Sequence, residues 1–404
     1  MTTPGPDRPE PKRALIIGGG PAGLMAAQSL ANAGLGVVVA DAMPTFGRKF
    51  LMAGRSGLNL TKDEDFDLFM SRFDEQAPWL LPMIRAFDAA AVQNWARDLG
   101  QEVFTGSSGR VFPKAMKASP LLRSWLRRLA DTGVQFHTGW KWLGWQGDTF
   151  VFDTPEGQQQ IAADVTVLAL GGASWSRLGS DGSWAELLKT RGVPVQGFAP
   201  ANAGLDVDWS PHMHRHFASP VKGTALLAGN DRSRGEFVVS KRGLEGGGIY
   251  SLSKAVRDGA AVTLDLMPDW PSDRVAQALS KPRGKLTWPN YLRRALRLNP
   301  VKIALLMEFG GPLSANENLP ATIKNLPIRH SGLRPIDEAI SVAGGVAKTA
   351  VTGGLMLKEI PGVFVAGEML DWEAPTGGYL ISASLATGRW AGEFAADWIK
   401  NSNA

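Results

Sequence analysis

"ALIIGGGPAGLMAAQSLANAGLGVVVADA" spans residues 14–42 and joins an apolar run, a glycine-rich turn, an alanine-rich segment and a second apolar run that ends at Asp41. The spacing of apolar residues predicts a strand over 13–17, a helix over about 21–33 and a strand over 37–41. Two strands joined through a helix lie parallel in one sheet. The segment therefore predicts the first strand–helix–strand unit of a nucleotide-binding domain of the α/β class.

The turn has the sequence Gly18-Gly19-Gly20-Pro21-Ala22-Gly23, a G-x-G-x-x-G pattern between strand and helix. The first glycine permits a tight turn, the second lets a pyrophosphate approach the backbone amides, and the third lets the helix pack closely on the sheet. Asp41 suits a ribose hydroxyl and disfavours a 2′-phosphate. We predict a dinucleotide site rather than a purely structural turn, with NAD and FAD both still open. The candidate binding residues here are Gly18, Gly20, Pro21, Ala22, Gly23, Asp41 and Ala42.

The C-terminal region favours FAD over NAD. Residues 360–370 predict another apolar strand that ends at Gly367-Glu368, and a long helix begins near Gly377-Gly378, with Tyr379 in its first turn. An acidic side chain at that strand end can bind a ribityl hydroxyl or a group beside the pyrophosphate. A helix N-terminus stabilises negative charge at the N1/C2 edge of a reduced flavin. The alternative is a strand–helix pair whose glycines serve packing alone.

The composition excludes several kinds of chemistry. The chain of 404 residues contains no cysteine, which rules out disulfides, dithiol relays, thiolate zinc sites and iron–sulfur clusters. No apolar run reaches the roughly 18 to 20 residues that cross a bilayer. Residues 1–12 are polar and proline-rich, predict a disordered tail without a secretory signal, and lead us to expect a cytoplasmic protein. The net charge of +5 is compatible with a phosphorylated ligand or nucleic acid, and equally with background.

The order of patterns along the chain predicts one nucleotide-binding domain in two pieces, residues 13–195 and 336–404. Residues 43–62 lack clear periodicity and predict a long loop. Residues 133–170 predict antiparallel strands followed by a buried strand that ends at Gly171-Gly172. Residues 196–335 predict an inserted β-rich lobe with a helical part.

Five stretches together resemble the HI0933-like, or BaiN-type, family of NAD(P)/FAD-dependent oxidoreductases, within the glutathione-reductase-like FAD proteins. The matching stretches are "IIGGGPAGLMAA", "GRKFLMAGRSGLNLT", "GRVFPKAMKAS", "LALGGASWSRLGSDG" and "VFVAGEMLDWEAPTGGY". The resemblance implies a discontinuous Rossmann-like (GR2-type) FAD-binding domain, a β-rich middle lobe, a small helical subdomain and tightly bound, non-covalent FAD. It also implies FAD contacts from Gly47, Arg48, Lys49, Asn59, Val134 (through its backbone, to the adenine), Gly172, Gly367, Glu368, Gly377, Gly378 and Tyr379.

Two positions depart from the pattern of that family. Its members commonly carry Arg-Cys-Asn where this chain has Gly57-Leu58-Asn59, and Asn where this chain has Leu380. The resemblance places both positions near the flavin. We therefore predict a substrate pocket or a flavin reactivity that differs from the type members.

Three histidines and five other polar residues are weaker candidates. His212, His214 and His216 recur at a spacing of two, which on a strand would place them on one face, but no cysteine or carboxylate pair completes a metal site and none is predicted. A role beside the isoalloxazine or a solvated surface position is open for Arg110 and Lys117. A substrate-polarising role is open for Lys241, Arg242 and Tyr250. No catalytic residue is assigned.

The leading hypothesis is an FAD-dependent oxidoreductase that transfers hydride through flavin N5 to an activated C=C bond of a flat small molecule. Because a second G-x-G-x-x-G unit is missing, NADH or NADPH is expected as a transient donor, unless another electron donor replaces it. The alternatives are the reverse oxidation, a non-catalytic FAD-binding redox sensor, or an RNA-associated flavoprotein that modifies a base. The last would use the basic segment 281–302, which contains Trp288 and Tyr291.

Overall fold

The computed structural model describes residues 12–55, 57–73, 77–313 and 318–402. Apart from Lys12, the predicted N-terminal tail lies outside these ranges. The strands are β1 (Arg13–Ile17), β2 (Gly36–Asp41), β3 (Thr61–Lys62), β4 (Val103–Thr105), β5 (Arg110–Pro113), β6 (Gln135–Thr138), β7 (Lys141–Gln146), β8 (Thr149–Thr154), β9 (Gly157–Ile161), β10 (Val165–Leu168), β11 (Val195–Ala201), β12 (Leu205–Asp206), β13 (Ser219–Val221), β14 (Ala225–Ala228), β15 (Asp231–Ser233), β16 (Phe237–Ser240), β17 (Gly243–Glu245), β18 (Val262–Asp265), β19 (Leu326–Pro327), β20 (Gly332–Leu333), β21 (Ser341–Val346) and β22 (Val363–Val365). The helices are α1 (Pro21–Asn32), α2 (Arg48–Ala53), α3 (Phe66–Met70), α4 (Leu81–Ala86), α5 (Ala89–Asp98), α6 (Ala118–Asp131), α7 (Trp184–Lys189), α8 (Gly247–Tyr250), α9 (Ser253–Arg257), α10 (Ser272–Leu279), α11 (Trp288–Leu296), α12 (Pro300–Phe309), α13 (Leu319–Lys324) and α14 (Tyr379–Asn401).

A five-stranded parallel sheet in the order β22-β10-β1-β2-β6 organises the site. The apolar run in β1 is fully buried in the middle of this sheet, which explains why it lacks the alternation of a half-exposed strand. The chain leaves β1 towards β2 on one side, and β10 lies on the other side. The glycine turn therefore opens at the carboxyl end of the sheet where the strand order reverses, the usual place for a nucleotide. The predicted α/β Rossmann-like class is confirmed.

Two local predictions in this region were wrong. Strand β6 pairs in parallel with β2, whereas the prediction made it antiparallel; only β7, β8 and β9 form an antiparallel meander. The burial of a strand as short as β6, at the edge of the sheet, does not reveal its direction. Helix α2 lies inside the segment 43–62, which was predicted to be a loop. The prediction missed this helix because six residues are too few to show a helical period. Gly47 precedes α2 with a φ of 65°, a conformation that glycine adopts at little cost.

The last helix, α14, packs directly on α1. A β-carbon at position 388 would lie 2.2 Å from the carbonyl oxygen of Ala22, and one at 392 would lie 2.8 Å from that of Ala26. Glycines at these two positions let the helix backbones approach more closely than side chains would allow. Within the described ranges, no helix has both the length and the apolarity needed to cross a membrane.

The chain forms two compact units. Unit 1 contains the parallel sheet and comprises the residues up to 199 and those from 342 onwards, and unit 2 comprises residues 200–341. Unit 2 contains antiparallel sheets in the orders β13-β16-β17-β12-β20 and β15-β14-β18-β19, together with helices α8 to α13. Its core is apolar and separate from that of unit 1. The predicted insertion, 196–335, differs from unit 2 by a few residues at each end.

Candidate cofactor site

A cleft lies at the carboxyl end of the parallel sheet in unit 1. Its empty space, including the part open to solvent, is about 830 Å³. The sequence-predicted residues that line it are Gly18, Gly20, Pro21, Ala22, Asp41, Ala42, Gly47, Arg48, Lys49 and Glu368. Trp140, Trp142, Ser180 and Ser384 also line it, although the sequence analysis assigned no role to them. Ser180 lies in one of the five family-like stretches, whereas the other three lie outside them.

The three glycines of the G-x-G-x-x-G pattern, Gly18, Gly20 and Gly23, have different surroundings. Gly18 has a φ of 108°, and a β-carbon there would lie 2.2 Å from the Ala169 carbonyl oxygen. A β-carbon at Gly23 would lie 1.9 Å from the Gly18 carbonyl oxygen. At Gly20, by contrast, a β-carbon would meet nothing within 4 Å. The first and third glycines are thus required by packing, whereas Gly20 leaves space above the uncapped N-terminus of α1.

Asp41 holds this turn in place from the end of β2. Its Oδ2 accepts a hydrogen bond from the Gly19 amide at 2.7 Å, and its Oδ1 accepts one from the Met43 amide at 2.8 Å. Burial raises the pKa of the Asp41 carboxyl, although these two bonds and the nearby Arg48 oppose the shift. The carboxylate therefore shapes the turn while it lines the cleft.

We expect the stability of the cofactor-free chain to report the titration of Asp41. A carboxyl group with a raised pKa in the folded state contributes stability that is fully present below its ordinary pKa of 3.8 and lost as pH rises through the raised value. Asp41→Asn removes this titration and keeps the shape of the side chain. Urea unfolding of both cofactor-free proteins gives their free energies of unfolding. As pH rises, the value for the variant should increase relative to the value for the wild type. A difference that does not change with pH would contradict the expectation.

Lys49 and Glu368 join segments from the two ends of unit 1. The Lys49 Nζ donates to Glu368 Oε2 at 2.7 Å and to Ser174 Oγ at 2.8 Å, and the Gly172 amide donates to the same Glu368 oxygen at 3.4 Å. A β-carbon at Gly172 would crowd the Glu368 side chain. Lys49, Gly172 and Glu368, each predicted as a cofactor-binding residue, are thus brought together. The adjacent Gly367 has a φ of 74° and donates its amide to Thr387 Oγ1.

Four buried polar atoms in unit 1 have no hydrogen-bond partner within the described part of the chain. They are Arg48 Nε, Asn59 Oδ1, Trp95 Nε1 and Ser180 Oγ. Such a group costs about 1–3 kcal/mol when it is left unsatisfied, so native structures seldom keep one without a purpose. Arg48 and Ser180 line the cleft. Asn59 and Trp95 do not line it, so the Arg48 and Ser180 atoms, together with the open space at Gly20, are the ones that fit a bound polar cofactor.

The predicted Gly377-Gly378 helix start lies against the small sheet formed by β3, β5 and β4. Both glycines have positive φ, 118° and 112°. A β-carbon at Gly378 would lie 2.5 Å from the Thr61 backbone, and one at Gly377 would lie 3.3 Å from the Arg110 guanidinium. Arg110 therefore lies beside the N-terminal end of α14. These glycines do not line the cleft, so their contact with a flavin stays a prediction.

Tyr379 is buried behind this helix start. Its hydroxyl donates to Glu64 at 2.5 Å and accepts from Lys62 at 3.0 Å, while Lys62 and Glu64 form an ion pair at 2.8 Å. Burial and the bond to Glu64 raise the pKa of Tyr379, with Lys62 opposing the shift. The contacts present in the structure make Tyr379 a link between β3 and α14.

Val134 does not lie with the other predicted residues. It precedes β6, at the end of the sheet opposite to the cleft, and its amide donates to the Leu129 carbonyl. Trp140, which follows the carboxyl end of β6, lines the cleft and donates its amide to the Asp41 carbonyl. The segment after β6 therefore contributes to the cleft and Val134 does not, so its adenine contact stays a prediction.

The histidines belong to unit 2. They lie in a 3-10 helix, Pro211–His216, and not on a strand, so a spacing of two does not place them on one face. His212 Nδ1 contacts Ser210 Oγ at 2.8 Å, and its Nε2 lies 3.4 Å from Glu308. Burial, followed by the neighbouring Arg215, lowers the pKa of His216. Among the described residues, no three His, Asp or Glu side chains are grouped to hold a metal ion.

Other candidates in unit 2 have structural partners. Arg242 pairs with Asp206 and Glu338, while burial raises the pKa of Tyr250. In the basic segment, the buried Tyr291 donates its hydroxyl to the carbonyls of Leu279 and Lys281. Tyr291 is therefore not free to stack on a base. The polarising roles of Lys241, Arg242 and Tyr250 stay predictions.

Sequence comparison places the chain among known proteins. The model of a family described as "HI0933-like protein Rossmann domain" matches residues 12–394. The chain is 25% identical to the 3-dehydro-bile acid delta(4,6)-reductase of Clostridium scindens, over 95% of this chain and 98% of the relative. It is 24% identical to the ribosomal RNA dihydrouridine synthase of Haemophilus influenzae, over 90% of this chain and 94% of the relative.

Structural comparison agrees with the fold. The 3-ketosteroid delta1-dehydrogenase of Sterolibacterium denitrificans superposes with a TM-score of 0.53 at 12% identity, over 95% of this chain and 99% of that structure. Identity at that level relates the two folds and nothing more.

Proposed function

This chain belongs to the HI0933-like family of FAD-dependent oxidoreductases, and we propose that it reduces an activated C=C bond of a flat acceptor. Bound FAD supplies the chemistry, the delivery of hydride from N5. By their names, two relatives act on such bonds: the delta(4,6) bonds of a 3-dehydro-bile acid, and the ring bond that is lost when uridine becomes dihydrouridine. The observation that carries the proposal is the cleft at the switch point of the sheet, with the unsatisfied polar atoms that line it.

Residues of the cleft, together with the start of α14, would contact different parts of FAD. The amides at the N-terminus of α1 would receive the pyrophosphate over Gly20, and Asp41 would accept a hydrogen bond from a ribose hydroxyl. The Lys49–Glu368 pair would contact the ribityl chain or the pyrophosphate. The start of α14 at Gly378 would face the N1/C2 edge, where its dipole favours negative charge. The proton that completes the reduction would come from a side chain or water, and not from a thiol, because the chain has no cysteine.

The first test is spectroscopic. We expect the purified chain to be yellow, to bleach on anaerobic mixing with NADH or NADPH, and to regain its colour when a carbonyl-conjugated alkene is added. Stopped-flow absorbance measures both half-reactions, and a saturated ketone serves as the control acceptor. A colourless protein that FAD cannot reconstitute would overturn the cofactor assignment. Reoxidation by quinones alone, with no alkene reduced, would overturn the acceptor class. Failure of both donors and every acceptor would favour the redox-sensor hypothesis.

A second candidate acceptor is a uracil ring in RNA. The relative from Haemophilus influenzae favours it, and the exposed cations Lys281, Arg283 and Lys285 in the basic segment support it. Reversing these three charges should abolish retention of RNA and formation of dihydrouridine, because phosphate contacts dominate such affinity. Reversal of the exposed Lys348, in unit 1, is the matched control. RNA retention that survives the triple reversal would reject this role of the segment.

A further inference from the structure

A second, more open cleft in unit 1 adjoins the cofactor cleft and shares Thr45, Arg48 and Leu178 with it. Two further cations, Arg55 and Lys117, line this second cleft together with Ser119. No carboxylate is among its described lining residues. The cleft thus gathers three positive charges around one space.

Two of these charges, Arg55 and Lys117, have no counter-ion among the described residues, whereas Arg48 lies near the Asp41 carboxylate. Neither Arg55 nor Lys117 has an ion pair or side-chain hydrogen bond with any described residue. Arg48 reaches only Thr45 Oγ1, at 3.4 Å, and its buried Nε has no partner among the residues described. Like charges that share a cleft repel one another, and a bound anion would remove that repulsion.

The start of α6 adds a second, independent reason. This helix of 14 residues begins at Ala118, and Lys117 occupies its N-cap without a side-chain cap. No acidic residue lies in the first turn. A lysine at this position opposes the helix dipole, where Ser, Thr, Asp or Asn would stabilise the end. A local choice that costs stability is typical of a functional site.

We propose that this cleft binds the phosphate or pyrophosphate group of a phosphorylated ligand. Arg55 and Lys117 supply the charges, and the N-terminus of α6 supplies backbone donors. The identity of the ligand rests on the proposed function: we infer that it is the dinucleotide electron donor. The cleft adjoins the cofactor cleft, and no second G-x-G-x-x-G unit exists to receive that donor elsewhere. A nucleic-acid backbone carries the same chemistry and is the competing source.

Calorimetric titration of the FAD-loaded protein with inorganic pyrophosphate tests the site without any turnover. We expect binding that weakens with added salt, and about tenfold or greater loss of affinity in Arg55→Ala and in Lys117→Ala, because each removes a charge-assisted hydrogen bond. Lys114→Ala is the matched control, since Lys114 is exposed, pairs with Glu102 and lies outside the cleft. Pyrophosphate that does not bind, or binds equally to all variants, overturns the proposal.

Competition by nucleotides and by RNA then identifies which ligand supplies the phosphate group. Displacement of pyrophosphate by ADP or 2′,5′-ADP supports the electron donor as the ligand. In that case Lys117→Ala should need a higher concentration of NADH or NADPH to reduce the flavin, while dithionite should reduce the flavin as it does in the wild type. Displacement by a short RNA but not by either nucleotide overturns that assignment. If neither nicotinamide reduces the flavin while pyrophosphate binding still depends on Arg55 and Lys117, the proposed donor fails and the anion site stands.

Discussion

We expect the Gly20→Val chain to fold and to purify without FAD. A β-carbon at this position meets nothing within 4 Å, and the backbone there is extended, with a φ of −83°. The fold should therefore lose only about 1 kcal/mol, the difference between a glycine and a valine at a helix N-cap. The same side chain would occupy the space above the α1 amides through which a pyrophosphate must approach. Visible absorbance after purification and calorimetric titration with FAD measure the loss, which we expect to exceed a hundredfold in affinity.

Gly197→Val is the matched control for this variant. Gly197 is exposed on β11, and a β-carbon there also meets nothing within 4 Å, so the substitution adds the same atoms away from the cleft. This control should retain FAD. Wild-type affinity for FAD in Gly20→Val would show that the pyrophosphate does not lie over this turn, and the cofactor assignment of the cleft would fail.

The sequence predicts this part of the fold well because its information is local. The run in β1, the glycine turn and α1 were predicted to within a residue, since a buried strand, a tight turn and a helix start each require particular neighbours in the chain. The strand at β22 and the helix α14 were predicted for the same reason. That β22 and α14 lie beside the first glycine turn was inferred from family likeness and flavin chemistry, not from periodicity.

What the sequence could not predict depends on contacts between distant segments. The parallel direction of β6 is decided by the strand it joins, β2, and not by its own four residues. Val134, for which the family resemblance implied a backbone contact to the adenine, precedes β6 and does not line the cleft, so that contact stays a prediction. Trp140 and Trp142, which line the cleft, carry no motif. Their position follows only from the path of the chain after β6.

We expect helix α14 to be as important to the cofactor site as the first glycine turn. The substitution Gly388→Val tests this expectation. A β-carbon at this position would lie 2.2 Å from the Ala22 carbonyl oxygen and 2.8 Å from the Ala22 Cα. These are backbone atoms of α1, which cannot move aside without moving the residues that line the cleft. We expect a loss of about 3 kcal/mol or more in the free energy of unfolding, a large part of the 5–15 kcal/mol typical of folded proteins, together with loss of FAD.

Asp397→Val separates this packing effect from any effect of valine on the helix itself. Asp397 lies on the exposed side of the same helix, and its ion pair with Lys400 is solvent-exposed, so its replacement should cost less than about 1 kcal/mol. Valine also suits a helix slightly better than the glycine it replaces at 388, so helix propensity cannot explain a loss there. Urea unfolding of the two cofactor-free variants measures the difference. Equal stability would mean that α14 and α1 do not meet at this glycine, and that the two ends of the chain do not build the site together.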